Sequence, residues 1–304
     1  MWNYLIKWQY NLMNFIGEKF IFNQHAPDIS NLLKNIQYGK ETHKERLLDI
    51  AIPYGKGSFP ILIYIHGGGW ISGSKDGYSR ICKSFAHEGY LTFNINYRLT
   101  PKYSYPIQIQ DISDAIDWIC NNAEKYGGDI NKIFLAGDSS GAHLVSHYVT
   151  IVNNDELKKY CKIKNLISLD YVRGILLFYG VYNIKKLDAI NSFIVRIQNQ
   201  SFLGKNTNQY QERCEYVSPI FYINKQFPPT FLCAGEVDLM HSQSIEFMKK
   251  LKKNNVPYDM ISLGKEEYPE ARHAFLNFYN RKCSKAAMNE ALKFMNSHSE
   301  VKKR

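Results

Sequence analysis

Residues 137–141 read Gly137-Asp138-Ser139-Ser140-Gly141, between a short apolar run at 133–136 and a helix-like run at 142–146. This order predicts a strand, a very tight turn and a helix. Glycines on either side of the turn lack Cβ atoms, so strand and helix can approach closely while the Ser139 hydroxyl stands clear. The pattern indicates a nucleophilic serine, and its strand and helix distinguish it from an ordinary glycine-rich loop.

Strand-like and helix-like segments alternate on both sides of this turn. The predicted strands are short apolar runs, and the helix at 108–124 has apolar residues at helical spacing; the strands are 59–65, 89–95, 174–179, 228–234 and 256–263. The chain therefore predicts an α/β fold with a mostly parallel central sheet and helices on both faces. Right-handed crossovers would place the loops that follow the strands along one edge of that sheet.

A second glycine-rich segment, His66-Gly67-Gly68-Gly69-Trp70, follows a predicted buried strand. Consecutive glycines bring bare backbone N–H groups close to whatever lies above the sheet. A flexible turn is the alternative, but the flanking His and Trp make the motif more specific than a run of glycines. We expect an oxyanion hole formed by the N–H groups of Gly67, Gly68 and Ser140.

A serine nucleophile needs a neighbouring base, and the base needs a group that holds its tautomer. Asp238 follows the predicted strand at 228–234, and His273 lies beyond the last predicted strand. The chain order of serine, acid and histidine matches one known triad arrangement and excludes those in which the serine comes last. Ser139, Asp238 and His273 are therefore the predicted catalytic residues.

Other acidic and histidine side chains compete for these roles. Glu236 also follows the strand, but the shorter carboxylate further along the loop is better placed to reach a histidine on the next loop. His241 begins a predicted helix, so His273 is preferred as the base. Three more side chains are expected to pack or brace loops: His66, Asp138 and His143.

Two segments are predicted to cover the site. Residues 1–45 show helical periodicity around 2–22 and 29–36 without strand alternation, which predicts an N-terminal helical cap segment. An insertion at about 181–216 predicts the rest of a small helical cap on the α/β domain at 46–304. The pattern from Arg46 through the turn at 54–57 predicts an edge hairpin. Aromatic residues suggest a closed acyl pocket: Trp70, Tyr97 and Phe202.

Composition argues against several classes of protein. The formal net charge is +10, but its lysines and arginines are spread along 304 residues, so we expect no nucleic-acid partner. Six scattered cysteines show no metal-binding spacing, so neither a disulfide scaffold nor a metal site is expected. The N-terminal segment falls short of the ~18 apolar residues of a membrane span. We therefore expect a cytoplasmic protein without stable membrane insertion. An amphipathic helix at 2–22 leaves contact with a membrane surface as an alternative, but packing of this helix over its own active site is preferred.

Taken together, five motifs resemble the hormone-sensitive-lipase-like and acetyl-esterase branch of the α/β-hydrolases. They are His66-Gly-Gly-Gly-Trp70, Asn96-Tyr-Arg-Leu-Thr-Pro101, Gly137-Asp-Ser-Ser-Gly141, Asp238 and His273-Ala-Phe275. The resemblance spans roughly residues 46–295. It implies an α/β-hydrolase fold and a cofactor-free serine carboxylic ester hydrolase that forms an acyl-enzyme and prefers short acyl chains.

Alternatives to an esterase stay open. Ser140 stands where this branch often has Ala, and Gly-Ala-His-Leu at 141–144 resembles the related arylformamidases, so an amide substrate is one alternative. A non-catalytic binding protein with a hydrolase fold is another, although such relatives typically lack a triad residue. We expect no activation by lipid interfaces. A homodimer is compatible with the sequence, and the expected partner is a small-molecule ester.

Overall fold

A computed structural model describes residues 2–39, 42–190, 192–204 and 210–299. The strands are β1 (Asn31–Gln37), β2 (Leu47–Ile52), β3 (Phe59–Ile65), β4 (Leu91–Ile95), β5 (Gly128–Asp138), β6 (Val172–Phe178), β7 (Thr230–Gly235) and β8 (Tyr258–Leu263). The α-helices are α1 (Trp2–Gly17), α2 (Ser79–His87), α3 (Ile107–Asn122), α4 (Ser140–Val152), α5 (Asp155–Cys161), α6 (Phe193–Leu203), α7 (Tyr210–Tyr216), α8 (His241–Lys253) and α9 (Lys282–Ser299).

The strands form one eight-stranded sheet in the order β1-β2-β4-β3-β5-β6-β7-β8. β2 is antiparallel to both β1 and β4, whereas the pairs from β4 through β8 are parallel. The predicted α/β fold with a mostly parallel sheet is thus confirmed. The carboxyl ends of the parallel strands meet along one edge, and the loops that leave this edge carry the predicted catalytic residues.

Helices cover both faces of the sheet, as predicted. Along β3, Ile63 belongs to the apolar core that includes Ile112 of α3 and Leu144 of α4, whereas Tyr64 belongs to the core that includes Phe85 of α2 and Phe294 of α9. Successive side chains of a strand point to opposite faces, so a continuous apolar run fits a strand buried on both sides. Burying each large apolar side chain contributes about 1.5–3 kcal/mol.

The predicted helix at 29–36 is wrong, because these residues overlap strand β1. The register with β2 shifts between Leu33 and Ile36, where the backbone of Asn35 has a positive φ of 58°. The Asn35 N–H donates a hydrogen bond to Asp49 Oδ1 at 2.8 Å. This bulge interrupts the two-residue alternation of a strand, and the interrupted spacing imitates helical periodicity.

The predicted hairpin across residues 54–57 is also wrong. β2 and β3 are joined by this turn but are not neighbours, because β4 lies between them. β2 instead pairs with β1, and β1 is the edge strand. The sequence carries strong local signals for a turn but none for a later strand that inserts between its two arms.

Helices α1 and α6 contact each other, with the rings of Trp2 and Phe193 5.7 Å apart in an edge-to-face arrangement. The predicted N-terminal helix at 2–22 is confirmed as α1 followed by a π-helical turn at Glu18–Phe22. α6 and α7 lie within the predicted insertion at 181–216. Among the described residues, none of the helices has the length and apolar character needed to cross a lipid bilayer.

Candidate active site

Ser139 occupies the sharp turn between β5 and α4, where its backbone has a φ of 49° and a ψ of −117°. A Cβ atom added to Gly141 would lie 2.0 Å from the carbonyl oxygen of Ile65, and one added to Gly137 would lie 2.6 Å from the carbonyl carbon of Gly141. Both glycines are therefore required by close backbone packing. The strained conformation of Ser139 is held by the strand and helix around it.

The three predicted catalytic side chains form a continuous chain of contacts. Ser139 Oγ lies 2.8 Å from His273 Nε2. On the other side of the ring, His273 Nδ1 lies 3.0 Å and 2.9 Å from the two carboxylate oxygens of Asp238. With Nδ1–H donating to the carboxylate, Nε2 is left as an acceptor for the serine proton.

The competing side chains have other partners. Glu236 Oε2 accepts the backbone N–H of Lys265 at 3.0 Å, and His241 Nε2 lies 2.8 Å from the hydroxyl of Ser262. Asp238 also accepts the N–H of Met240 through Oδ1 at 2.8 Å. The side chain of Asp238 is fully buried, so its carboxylate is held in one position facing the imidazole.

The electrostatics of His273 favour its protonated form. Partial removal from water lowers its pKa, but the hydrogen bond and charge of Asp238, together with the charge of Asp138, outweigh that effect and raise the pKa above the ordinary value of 6.5. The raised pKa strengthens the affinity of the neutral ring for the serine proton.

The predicted brace at Asp138 is confirmed. Asp138 Oδ1 accepts the backbone N–H of Gly67 at 2.8 Å, and Oδ2 accepts the hydroxyl of Tyr78 at 3.0 Å. A longer contact of 3.4 Å joins Oδ1 to the hydroxyl of Tyr64. Burial raises the pKa of Asp138 to about 6, although these donors act in the opposite direction.

The assignment of Gly67 to the oxyanion hole is wrong, because its N–H already donates to Asp138. Gly68 and Gly69 line the cavity in front of Ser139, as does Ser140 at the first position of α4. Their backbone N–H groups have no hydrogen-bond partner within the part of the chain that is described. These three groups, rather than Gly67, are available to a ligand.

The histidine before the glycines ties the loop down, as predicted. His66 Nδ1–H donates to the carbonyl of Gly67 at 2.7 Å, and its ring stacks on Tyr97 at 4.4 Å. The hydroxyl of Tyr97 donates to the His66 carbonyl at 3.0 Å. Burial lowers the pKa of His66 to about 4, so the ring is neutral and structural at physiological pH.

The predicted packing role of His143 is confirmed, because this buried ring donates through Nε2 to the Val217 carbonyl at 2.7 Å. The predicted acyl pocket requires a correction. Trp70 does line the cavity. The ring of Phe202 stacks on the ring of Trp70 with centroids 4.4 Å apart, and the ring of Tyr97 stacks on His66. Of the three predicted aromatic residues, Trp70 alone lines the cavity.

The cavity in front of Ser139 has a volume of about 310 Å³. Helix α1 contributes Tyr10 and Asn14 to its wall, and α6 contributes Ile194, Val195 and Gln198. Both segments predicted to form the cap therefore contribute to the wall of the cavity that contains Ser139. The wall combines apolar surface with a few polar groups, as in most small-molecule sites.

Comparison with known proteins places this arrangement in a family. The sequence profile of the BD-FAE family matches residues 48–251, which is more than half of the chain. The chain belongs to the BD-FAE family. The match includes the glycine loop, the nucleophile turn and Asp238, whereas His273 lies beyond it.

Named relatives of this BD-FAE chain are esterases. It is 27% identical to esterase LipQ of Mycobacterium tuberculosis over 239 residues. This alignment covers 76% of this chain and 55% of LipQ. It is 26% identical over 229 residues to the acetyl esterase of Salmonella schwarzengrund, covering 72% and 66% of the two chains. The chain spans about half the length of the first of these relatives.

A solved structure has the same fold. Esterase B from Lactobacillus rhamnosis superimposes with a TM-score of 0.85 at 22% sequence identity, over 96% of this chain and 92% of that one. The α/β-hydrolase fold expected from the sequence motifs is thereby confirmed for this BD-FAE chain.

Sequence reasoning did not find several residues around this BD-FAE site. The ring of Tyr179 packs edge-to-face against His273 at 5.2 Å, and Tyr78 anchors Asp138. Gln198 reaches the glycine loop, since a Cβ atom on Gly69 would lie 2.3 Å from its Nε2. Tyr179 directly follows β6, which is a usable signal, but nothing local to Tyr78 or Gln198 indicates the site.

Within residues 2–39, 42–190, 192–204 and 210–299, no group of three or more His, Cys, Asp or Glu side chains is arranged to hold a metal ion. The six cysteines are free thiols.

Proposed function

We propose that this protein is a serine carboxylic ester hydrolase that acts on esters of short acyl groups through an acyl-enzyme. The observation that carries the proposal is the contact chain from Ser139 Oγ through His273 to Asp238 at the wall of a cavity. The esterase names of several relatives support the same reaction class.

In the proposed first step, Ser139 Oγ attacks the ester carbonyl carbon while His273 Nε2 takes the hydroxyl proton. The electron pair of the carbonyl moves to its oxygen, which the N–H groups of Gly68, Gly69 and Ser140 would stabilise. A donor of this kind is worth about 3–4 kcal/mol in the transition state. Collapse of the intermediate breaks the bond to the alcohol, which takes the proton from His273.

In the second step, water attacks the acyl-enzyme and gives its proton to His273 Nε2. The second tetrahedral intermediate collapses, the bond between Ser139 Oγ and the acyl carbon breaks, and the proton returns to Ser139. The products are a carboxylic acid and a regenerated enzyme. Asp238 holds the imidazole tautomer and stabilises the imidazolium in both steps, without itself taking the proton.

The preference for short acyl groups rests on the size of the cavity. At about 310 Å³ it lies near the lower limit for small-molecule sites. Trp70, Val181 and Leu187 give it an apolar lining that suits a short hydrocarbon chain. A relative in Salmonella schwarzengrund is named an acetyl esterase, which agrees with this preference.

A substrate panel tests the proposal. We expect hydrolysis of p-nitrophenyl acetate and butyrate with falling rates on longer chains, and a fluorophosphonate adduct on Ser139. The Ser139→Ala variant should lose at least about 10³-fold in kcat. Ser168→Ala is the matched control, because Ser168 is exposed and precedes β6 at the opposite edge of the sheet.

The other outcomes separate the alternatives. Turnover of N-formylkynurenine in clear preference to the esters would favour an arylformamidase. A folded protein without ester turnover and without a fluorophosphonate adduct would favour a non-catalytic binding protein. Full activity in Ser139→Ala would refute the assignment of the nucleophile.

A further inference from the structure

Helix α1 turns its more apolar face away from the protein. The face that packs inward carries mainly polar or small residues, namely Asn3, Ile6, Lys7, Tyr10, Asn14 and Gly17. The opposite face carries Leu5, Trp8, Leu12, Phe15 and Ile16, all of them exposed. A surface helix normally buries its apolar stripe against the core, so this orientation is inverted.

The exposed apolar surface is large and continuous. Trp8 is 62% exposed and Met13 is 66% exposed. With 16 residues, α1 is about 24 Å long, and the π-helical turn beyond it adds exposed Phe20 and Ile21. Monomeric proteins rarely leave such a surface uncovered, so it marks a place where another apolar phase or molecule docks.

This surface reaches the opening of the cavity. Trp2 contacts Phe193 of α6, which is 54% exposed. The next residue, Ile194, lines the cavity and is also exposed, as is Leu239 on the cavity wall. The apolar face of α1 therefore continues through α6 to exposed residues of the cavity wall.

Basic side chains lie on and beside α1. α1 contains no acidic residue, and the exposed Lys19 lies 5.3 Å from the ring centroid of Phe20. On the inward face, partial burial lowers the pKa of Lys7, Glu45 raises it, and the exposed Lys102 and Lys44 lower it further, so two more cations lie near this half of the helix. Basic residues beside Trp, Phe and Leu are typical of helices that lie on an anionic lipid surface.

We propose that α1, together with Phe193 and Ile194, docks this protein onto the surface of anionic lipid bilayers, with the cavity opening beside the lipid. The helix lies in the interface and does not cross it. A second copy is a poorer occupant, because a self-complementary contact would bring the same lysines together in a chain of net charge +10. Docking of this kind selects the membrane-contact alternative for the N-terminal helix, in addition to its contribution to the cavity wall.

Vesicle binding tests this docking independently of catalysis, because the Ser139→Ala protein can be used throughout. With vesicles of phosphatidylcholine and phosphatidylglycerol we expect co-sedimentation, a blue shift of tryptophan fluorescence and weaker binding as salt increases. Vesicles of phosphatidylcholine alone should bind more weakly. Trp2 and Trp8 are the exposed reporters, whereas Trp70 is buried.

The decisive variant is Trp8→Ser combined with Leu12→Ser, since neither residue lines the cavity. We expect at least about tenfold weaker vesicle binding, in proportion to the apolar area lost. When the same two substitutions are made in the protein that retains Ser139, the rate of hydrolysis of a soluble short ester should be unchanged. Tyr54→Ser is the matched control, because Tyr54 is 61% exposed and follows β2 at the opposite edge of the sheet.

Three results would overturn the proposal. The first is that the protein stays in the supernatant with anionic vesicles, and the second is that the double variant binds as well as its parent. The third is a dimer in analytical ultracentrifugation that the double variant abolishes while vesicles bind neither protein, which would identify a second copy as the occupant. Failure of ester hydrolysis alone would leave the vesicle measurements, and hence this proposal, intact.

Discussion

Asp138 Oδ1 accepts the backbone N–H of Gly67 at 2.8 Å, and this contact joins the turn that carries Ser139 to the loop that carries Gly68 and Gly69. The nucleophile and the proposed oxyanion donors are thereby held in register by one buried carboxylate. The same contact removes Gly67 from the set of groups that can reach a ligand.

Replacing Asp138 tests its role in positioning the glycine loop. Three donors converge on its carboxylate, and the amide of Asp138→Asn offers only one acceptor atom. We expect kcat for p-nitrophenyl acetate to fall about 10–100-fold in a folded variant, with a smaller change in KM. Tyr78→Phe, which removes one donor, should have a weaker effect. A wild-type kcat in folded Asp138→Asn would show that the loop holds its position without this carboxylate.

A pair of substitutions separates the two acidic residues that follow β7. Asp238→Asn should reduce kcat on the order of 10⁴-fold, because the amide no longer holds the required imidazole tautomer. Glu236→Gln should stay within about twofold of the native rate, since Glu236 faces the backbone of Lys265. Steady-state kinetics at one pH are sufficient. The reverse ranking would assign the acid to Glu236.

The pH dependence of kcat/KM reports the proton affinity of His273. Burial is the largest single influence on its pKa and lowers it. Asp238 and Asp138 together raise the pKa by more, so it lies above 6.5. Only neutral His273 can accept the serine proton, so activity should decline as pH falls through this raised pKa. The midpoint of the acid limb should lie above 6.5, and it should move to lower pH in Asp238→Asn. A midpoint below 6.5 in the native enzyme would contradict the proposed base.

Gly141→Ala tests the packing beneath the nucleophile turn. Its Cβ would lie 2.0 Å from the Ile65 carbonyl oxygen, so backbone must move. We expect the free energy of unfolding to fall by about 3 kcal/mol or more. Gly264→Ala is the control, because its nearest neighbour is 3.9 Å away and the change should stay within about 0.5 kcal/mol. Urea denaturation measures both, and equal stabilities would refute the close contact.

Local sequence patterns predicted much of the site. Ser139, Asp238 and His273 each follow an apolar run that forms a strand, and parallel strands deliver their following loops to one edge. Triad order, turn chemistry and strand burial are short-range properties, so a single sequence carries them. The same reasoning separated His66 and His143 from the catalytic histidine.

Long-range pairing set the features that sequence reasoning missed or misassigned. The bulge at Asn35 disguised β1, and β4 separates β2 from β3 although only a turn joins them. The partner of the Gly67 N–H lies 71 residues away at Asp138. Such choices depend on which groups meet in space, and no periodicity within either segment encodes them.

The sequence by itself determined that the segment around residues 2–22 would be helical and that a serine, an acid and a histidine would share one sheet edge. Only the tertiary structure decided which face of that helix turns outward and which N–H groups remain free for a ligand. Helical periodicity sets the relative positions of side chains around the helix axis. The rotation of the helix about that axis is set by tertiary contacts, such as the hydrogen bond that Lys7 Nζ donates to the Thr100 carbonyl at 2.9 Å.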